Sequence, residues 1–319
     1  MKPPYSITPR ILDLLTSVSE KLGEIKASHM QVPRAELRKT NRIKTIQSTL
    51  EIEGNILSIE QVTAVINNKR VIAPHKDILE VKNAIGVYDI LQSFKASSIS
   101  SFLKAHALLM KGLVKRPGKF RSAGAGIVKG SQLTHLAPKA SLVKGLMNEL
   151  FNYLKTDSAP LLIKSCVFHY ELEFIHPFED GNGRMGRLWQ SVILKDLNPL
   201  LAFLPVEMII KQKQSDYYKA LEKSDKSGNS TPFIEFILRA IDQALADQLQ
   251  ERRLPLTADD RIKIFKEHVG VNEFSRKNYL EFFKDISAPT ASRDFKAAVD
   301  KKIIKRTGNK RTSVYCFIL

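Results

Sequence analysis

Apolar residues recur at three- and four-residue spacings along most of the chain, the period of helices buried on one face. Residues 8–26 carry Ile11, Leu12, Leu14, Leu15, Val18 and Leu22 in that pattern, and residues 41–53 and 76–95 behave similarly. Residues 98–114 repeat it through Phe102, Leu103, Leu108, Leu109 and Leu113. That helix is expected to end before Arg116-Pro117-Gly118, a breaker cluster. Further helices are predicted at 140–155, at 160–175 and after Gly183. The stretch 118–138 departs from the pattern. It holds Gly118, Gly124, Gly126 and Gly130 around β-prone Ile127-Val128 and stops before Pro138. Such a composition predicts an extended hairpin or flap.

The pattern changes again near 246–256, where a polar run ends in Leu254-Pro255; this reads as the close of a helix and a domain boundary. Beyond it, 289–300 is predicted helical, with Ala291, Phe295, Ala298 and Val299 on one face. Residues 303–307, a turn at Gly308-Asn309 and residues 312–317 predict a β-hairpin. A helix followed by a basic hairpin is the outline of a winged helix.

Composition narrows the class. The chain has 319 residues, 43% hydrophobic and 26% charged, an ordinary globular mix. The two cysteines, Cys166 and Cys316, exclude a disulfide framework and a four-thiolate zinc site, and a reduced, cytoplasmic setting is expected. The N-terminal residues lack the apolar run of a secretory signal, and no window approaches the roughly eighteen apolar residues of a membrane span, so no membrane partner is expected. The formal net charge of +17 favours a polyanionic partner without naming one, because lysines also solvate helix surfaces.

The densest chemistry lies in His176-Pro177-Phe178-Glu179-Asp180-Gly181-Asn182-Gly183-Arg184-Met185-Gly186-Arg187. Pro177 disfavours helical geometry at His176, so the helix before it must stop there. Gly181 and Gly183 let the loop curl and turn backbone N–H groups inward, and a helix opening near Arg184 makes its N-terminus an anion receptor. Arg184 and Arg187, three apart, share one face at that mouth and can fork onto phosphate oxygens. Asp180 offers a hard oxygen for Mg²⁺, and His176 a base that can be neutral near physiological pH. Together they make a site for a nucleoside triphosphate and metal with a base beside it. No P-loop, kinase signature set or His-Glu-x-x-His zinc motif is present.

This segment resembles the His-x-Phe-x-Asp/Glu-Gly-Asn-Gly-Arg-x-x-Arg signature of Fic-domain proteins, with every fixed position matched. The resemblance implies AMP transfer from ATP to a Ser, Thr or Tyr hydroxyl of a protein. His176 would be the base, Asp180 the Mg²⁺ ligand and Asn182 part of the anion hole at the α-phosphate. Gly181, Gly183, Arg184, Met185, Gly186 and Arg187 would complete the phosphate site, with Arg184 and Arg187 on the outer phosphates. Asp216-Tyr217-Tyr218-Lys219-Ala220-Leu221 looks like the family's Tyr-Tyr helix, which puts Tyr217 near the adenine and Asp225 at the edge of the nucleotide. The stretch 118–138 is placed like the family's flap, with Ile127, Val128, Lys129, Gly130 and Ser131 as docking candidates for an extended target segment.

Ser48-Thr49-Leu50-Glu51-Ile52-Glu53-Gly54-Asn55 resembles the family's inhibitory motif, with Thr49 at its first position and Glu53 as the acid. A carboxylate paired with Arg187 would remove the cation meant for the γ-phosphate and repel ATP. The fold class implied is mainly α: a Fic-type helical domain with a short β-hairpin flap, plus a small α+β winged-helix-like domain. The expected division is a helical region at 1–90 carrying the inhibitory motif, a catalytic core at 91–245 and the C-terminal domain at 256–319.

On the expected recognition helix, Thr290, Ser292, Arg293 and Lys296 could face DNA, with Lys301, Lys302, Lys305, Arg306, Lys310 and Arg311 on phosphates. A DNA-binding regulator using the fold as a nucleotide sensor, and a transferase using UTP or CDP-choline, are the alternative readings. A homodimer and self-modification are expectations by resemblance.

Overall fold

A computed structural model describes residues 3–27, 35–124, 126–129, 132–253, 257–270, 272–283, 286–309 and 313–318. Two compact units emerge, Met1–Leu249 and Gln250–Leu319. The first opens with α1 (Pro9–Ala27), α2 (Ala35–Ile52), α3 (Ile59–Ile66), α4 (His75–Asp89) and, after a 3₁₀ turn at Leu91–Ser93, α5 (Ile99–Leu109). A hairpin of β1 (Gly126–Lys129) and β2 (Gln132–Leu136) follows, then α6 (Ala140–Thr156), α7 (Leu161–Ile175) and α8 (Asn182–Leu197). After a 3₁₀ turn at Pro199–Phe203 come α9 (Val206–Gln212), α10 (Gln214–Ser227) and α11 (Thr231–Arg253). No helix among the described residues is long and apolar enough to cross a membrane.

Helices α7 and α8 form the centre. α7 is buried almost all round, through Ile163, Cys166, Val167, Phe168 and Leu172, as a helix apolar on every face must be. It packs along α8, whose Leu188, Trp189, Val192 and Ile193 are equally buried. An aromatic cluster joins neighbouring helices to this pair: Phe102 of α5 lies 5.1 Å edge-on to Trp189, and Phe151 of α6 lies 5.1 Å edge-on to Phe168. The Trp189 indole N–H donates to the Ala96 carbonyl at 3.0 Å, which satisfies its one polar atom. Residues of α1–α4 belong to the same hydrophobic core, so the expected division at residue 90 does not separate compact units.

Two boundaries and one helix differ from the sequence reading. The helix expected through 114 ends at Leu109, because Gly112 takes a left-handed φ of 73° and turns the chain. The helix expected over 76–95 stops at Asp89 and tightens into the 3₁₀ turn. Helix α3 was not foreseen, although Ser58 and Gln61 form a reciprocal capping box at its start.

The second unit comprises α12 (Ala258–Val269), α13 (Arg276–Phe282), α14 (Ala288–Asp300) and the antiparallel pair β3 (Ile304–Thr307) and β4 (Val314–Phe317). Its own core holds Ile262, Phe265, Phe274, Tyr279, Phe295, Ile304 and Phe317. Buried Asp294 is satisfied by a forked bond from Arg261 (2.6 and 2.8 Å) and by the Tyr279 hydroxyl at 3.0 Å.

Candidate active site

The signature segment is the bend between α7 and α8. α7 ends at His176, whose N–H closes the last turn on the Leu172 carbonyl at 2.9 Å while its own backbone turns left-handed (φ 50°, ψ 59°). Histidine tolerates this region better than most residues, and Pro177 blocks continuation of the helix. The chain re-enters helix at Gly181, where φ is 84° and a side chain would be strained.

Three attachments hold the loop. The buried Phe178 ring stacks on His106 of α5 (3.6 Å, 6°) and on Phe102 (5.4 Å). The Asn182 carboxamide clasps the backbone of Phe178, accepting from its N–H at 2.9 Å and donating to its carbonyl at 3.0 Å. The His106 ring spans the third gap: Gly118 N–H donates to Nδ1 at 2.8 Å, and Nε2 lies 3.1 Å from the Asp180 carbonyl. Since Nδ1 accepts, the proton sits on Nε2 and is donated to Asp180. Burial lowers the His106 pKa to about 4, which keeps this neutral form. The resemblance makes Asn182 part of the anion hole at the α-phosphate; both polar ends of its side chain bond the Phe178 backbone and shape that loop.

Both arginines of the segment are already engaged by acids from the N-terminal helices. Arg187 donates through Nε to the Thr49 hydroxyl (2.9 Å) and through Nη2 to the Thr49 carbonyl (3.1 Å) and to Glu53 Oε1 (2.6 Å). Its side chain is 1% exposed, that of Glu53 29%. Burial is the largest single influence on Arg187 and depresses its pKa, but the charge and hydrogen bond of Glu53, with the charges of Tyr217 and Glu173, together outweigh it and leave the pKa above the ordinary value. Arg184 pairs with buried Glu80 of α4 at 3.0 Å and with Asp180 at 3.1 Å, and the Asn55 amide donates to Glu80 at 2.8 Å. Glu80 went unnoticed in the sequence. The available signal was a charged residue on the stripe of α4 that buries Val81, Ala84, Val87 and Tyr88.

Gly183 explains how Glu53 reaches this position. A Cβ at Gly183 would stand 2.6 Å from Glu53 Oε1, so only glycine lets the carboxylate lie against the first turn of α8. Unpaired N–H groups and the positive end of the helix dipole favour an anion there. Asp180 has a side chain 51% exposed, with Oδ1 accepting from Gly181 N–H at 2.6 Å and from Arg184. No group of three or more His, Cys, Asp or Glu placed to hold a metal ion occurs among the described residues. Mg²⁺ commonly takes one or two protein carboxylates and completes its shell with waters and substrate phosphates, so a half-exposed Asp180 beside an anion cradle fits it.

The remaining expected contributors have these surroundings. Met185 is buried in the core and its N–H is spent on the Gly181 carbonyl at 2.9 Å. Gly186 is required by packing: a Cβ would approach the His169 ring to 2.6 Å. His169 is held by Gln190 at 2.9 Å, and burial pushes its pKa down to about 3. Tyr217 is 2% exposed and its hydroxyl donates to Glu173 at 3.4 Å, beside His169 Nε2 at 3.2 Å. It shares the buried face of α10 with Ala220 and Ser224, so its ring has no face open to an adenine; neighbouring Tyr218 is 40% exposed. Asp225 accepts from the Tyr170 hydroxyl at 2.9 Å. Ile127, Val128 and Lys129 lie in β1, where Ile127 pairs with His135 and the register shifts by a bulge before Val128. Gly130 and Ser131 lie outside the described residues, as do Lys310 and Arg311. In the second unit Thr290, Ser292, Arg293 and Lys296 share α14, where Arg293 and Lys296 are exposed and Ser292 accepts from Arg276 at 2.8 Å.

The model of the Fic/DOC family matches residues 97–194, which contain α5, the hairpin and the whole signature segment. Among curated proteins the chain is 25% identical to Protein adenylyltransferase Fic of Nematostella vectensis over 256 residues, 74% of this chain and 57% of the relative. Protein adenylyltransferase Fic of Aedes aegypti is 28% identical over 236 residues, 71% of this chain and 45% of the relative. The chain thus spans about half the length of the curated relatives it matches. A fragment of Fic-1 from C. elegans shares the fold at a TM-score of 0.62 and 20% identity, over 75% of this chain and 72% of that one. The crystal structure of a Fic family protein from Desulfovibrio desulfuricans G20 superposes with a TM-score of 0.77 at 40% identity, over 100% of this chain and 98% of that one. With that identity along the full length of both chains, this protein belongs to the Fic family.

Proposed function

We propose that the chain transfers the AMP portion of ATP to a hydroxyl of a protein, and that Glu53 restrains this activity. One observation carries the reading: a carboxylate lies against Gly183 and Arg187 at the N-terminus of α8, where the segment's chemistry calls for an anion. The protein adenylyltransferases among the relatives support AMP as the transferred group.

In the reaction His176 takes the proton of the acceptor hydroxyl. The new bond joins that oxygen to the α-phosphorus, the bond from α-phosphorus to the bridging oxygen breaks, and pyrophosphate leaves. Backbone N–H groups at Gly183 and the first turn of α8 receive phosphate oxygens, and Arg187, once released by Glu53, binds the outer phosphates. Asp180 is the residue that would hold Mg²⁺, which when bound neutralises phosphate charge. β1 of the flap offers strand pairing to an extended acceptor segment, fixing its hydroxyl beside His176. The acceptor can belong to a second copy of this chain.

The test is to incubate the Glu53→Gly variant with Mg²⁺ and ATP labelled at the α- or the γ-phosphate, with UTP and CDP-choline as competitors. Label retained on protein from the α position alone supports AMP transfer. Label from the γ position would make it a phosphoryl transfer, and suppression by UTP or CDP-choline at low excess would reassign the donor.

A second reading concerns the C-terminal unit. A groove between α13, α14 and the β3–β4 hairpin carries Arg276, Lys277, Lys296 and Arg306 against Glu281 and Asp300, a net positive lining that favours a nucleic-acid backbone. Duplex DNA should bind it with an affinity that falls steeply with salt; absence of binding at low salt would remove this reading.

A further inference from the structure

We propose that Arg121 is a positioning residue that fixes the flap to the backbone of His176; this rests on the AMP-transfer reading of the site. Arg121 is only 4% exposed. Its guanidinium donates through Nε to the His176 carbonyl at 2.7 Å, and through Nη1 to the Ala123 carbonyl at 2.8 Å. Nη2 is shared between the Pro138 carbonyl at 2.5 Å and the Ile175 carbonyl at 3.2 Å. Its own N–H donates to the Pro177 carbonyl at 2.9 Å.

These partners fall into two sets. Ile175, His176 and Pro177 are the end of α7 and the start of the signature loop. Ala123 and Pro138 flank the β1–β2 hairpin on its two sides. One planar, rigid group thereby joins both ends of the flap to the residue proposed as the base. The carbonyls ending α7 have no partner within the helix and form the negative end of its dipole, so a cation is well placed on them. His176 also sits in a left-handed backbone conformation, which persists only where surrounding bonds over-determine it.

A neutral donor would avoid the cost of burying a cation. Guanidinium is suited here because its donors diverge in a fixed plane and reach four carbonyls at once. An ammonium has three donors from one point and cannot span both sides of the flap. A displacement of about 1 Å between acceptor and base lowers rates by about 100-fold. The phosphate site on α8 is bonded to other residues, so the nucleotide should bind as before.

The test uses the full chain with Glu53→Gly as parent, and adds Arg121→Lys or Arg121→Met. The expected result is a turnover number for AMP transfer lowered about 100-fold by Arg121→Lys, with the KM for ATP within about threefold of the parent. Thermal unfolding of Arg121→Lys checks that the chain still folds, and this variant decides the matter if Arg121→Met does not fold. An unchanged turnover number, or one that falls only in step with lost ATP binding, overturns the proposal. A second readout needs no nucleotide: amide hydrogen exchange of peptides covering β1–β2 and covering 172–180. Both should lose protection together in Arg121→Lys, with the other helices unchanged. Loosening of one segment without the other overturns the clamp. If the parent transfers no AMP, the reading of function fails on that result, and the exchange measurement still decides Arg121.

Discussion

Replacing Glu53 by glycine should raise AMP transfer by roughly 10- to 40-fold. The carboxylate stands 2.6 Å from Nη2 of Arg187, and that bond must break before the guanidinium can meet a phosphate. A hydrogen bond to a charged group contributes about 1.5–3 kcal/mol net, and solvent screening at a carboxylate that is 29% exposed argues for the lower part of that range. At about 1.4 kcal/mol per tenfold, the release is worth roughly 10- to 40-fold. Arg187 itself should stay in place, because its two bonds to Thr49 do not involve Glu53. Glu53 follows Ile52, the last residue of α2, so glycine there does not interrupt a helix. The assay is the initial rate of AMP incorporation at saturating Mg-ATP, for wild type, Glu53→Gly and Glu53→Gln. The glutamine keeps the shape without the charge and should fall between the other two. An unchanged rate in Glu53→Gly, with cooperative unfolding preserved, would refute the brake.

Other substitutions test separate parts of the account. Glu80→Ala leaves buried Arg184 with only the half-exposed Asp180 as a carboxylate partner and should destabilise the fold by about 1.5–3 kcal/mol in denaturant titration, whereas no measurable loss would contradict the pairing. Tyr217→Ala should cost about 3–5 kcal/mol and Tyr218→Ala under about 1 kcal/mol; the reverse order would contradict the burial of Tyr217. The pH dependence has opposing parts. Burial holds His106 at about 4 and His169 at about 3, below the unfolded value near 6.5, so their contribution is complete above that value and is lost as pH falls. Burial raises Glu171 and Glu207 to about 7, so these acids bind protons in the folded chain and their contribution is lost as pH rises. Between about pH 4.5 and 6.5 the two pairs offset each other. Glu207→Gln removes one opposing proton, so stability should rise with pH more steeply than in wild type, by about 1.4 kcal/mol per pH unit. Parallel slopes in urea titrations at several pH values would count against it.

Much of this was legible in the chain because local rules decide it. Pro177 after His176 and glycines at 181 and 183 dictate a stop, a curl and a new helix without reference to the rest of the fold. The pairing of Glu53 with Arg187 was also accessible, although 134 residues separate them, because the resemblance links the two motifs. What escaped depends on tertiary packing. Which of Tyr217 and Tyr218 faces inward is set by how α10 docks, and adjacent positions carry no periodic signal to separate them. Glu80 and His106 are single polar residues on amphipathic helices, and Arg121 is a single cation at the start of the glycine-rich stretch. Each becomes informative only when the fold brings it to the signature loop, where His106 and Arg121 satisfy backbone carbonyls that a one-dimensional reading leaves unassigned. Asn182 shows the converse: a signature position whose side chain is occupied in building the loop.

The most direct measurement is the intact mass of the purified chain after incubation with Mg-ATP, comparing Glu53→Gly with Glu53→Gly/His176→Ala. The account predicts that Glu53→Gly gains the mass of one or more AMP groups and that the double variant gains none. An equal gain in both would remove His176 as the base, and a gain in neither, with ATP bound and an added protein acceptor also unmodified, would contradict AMP transfer itself.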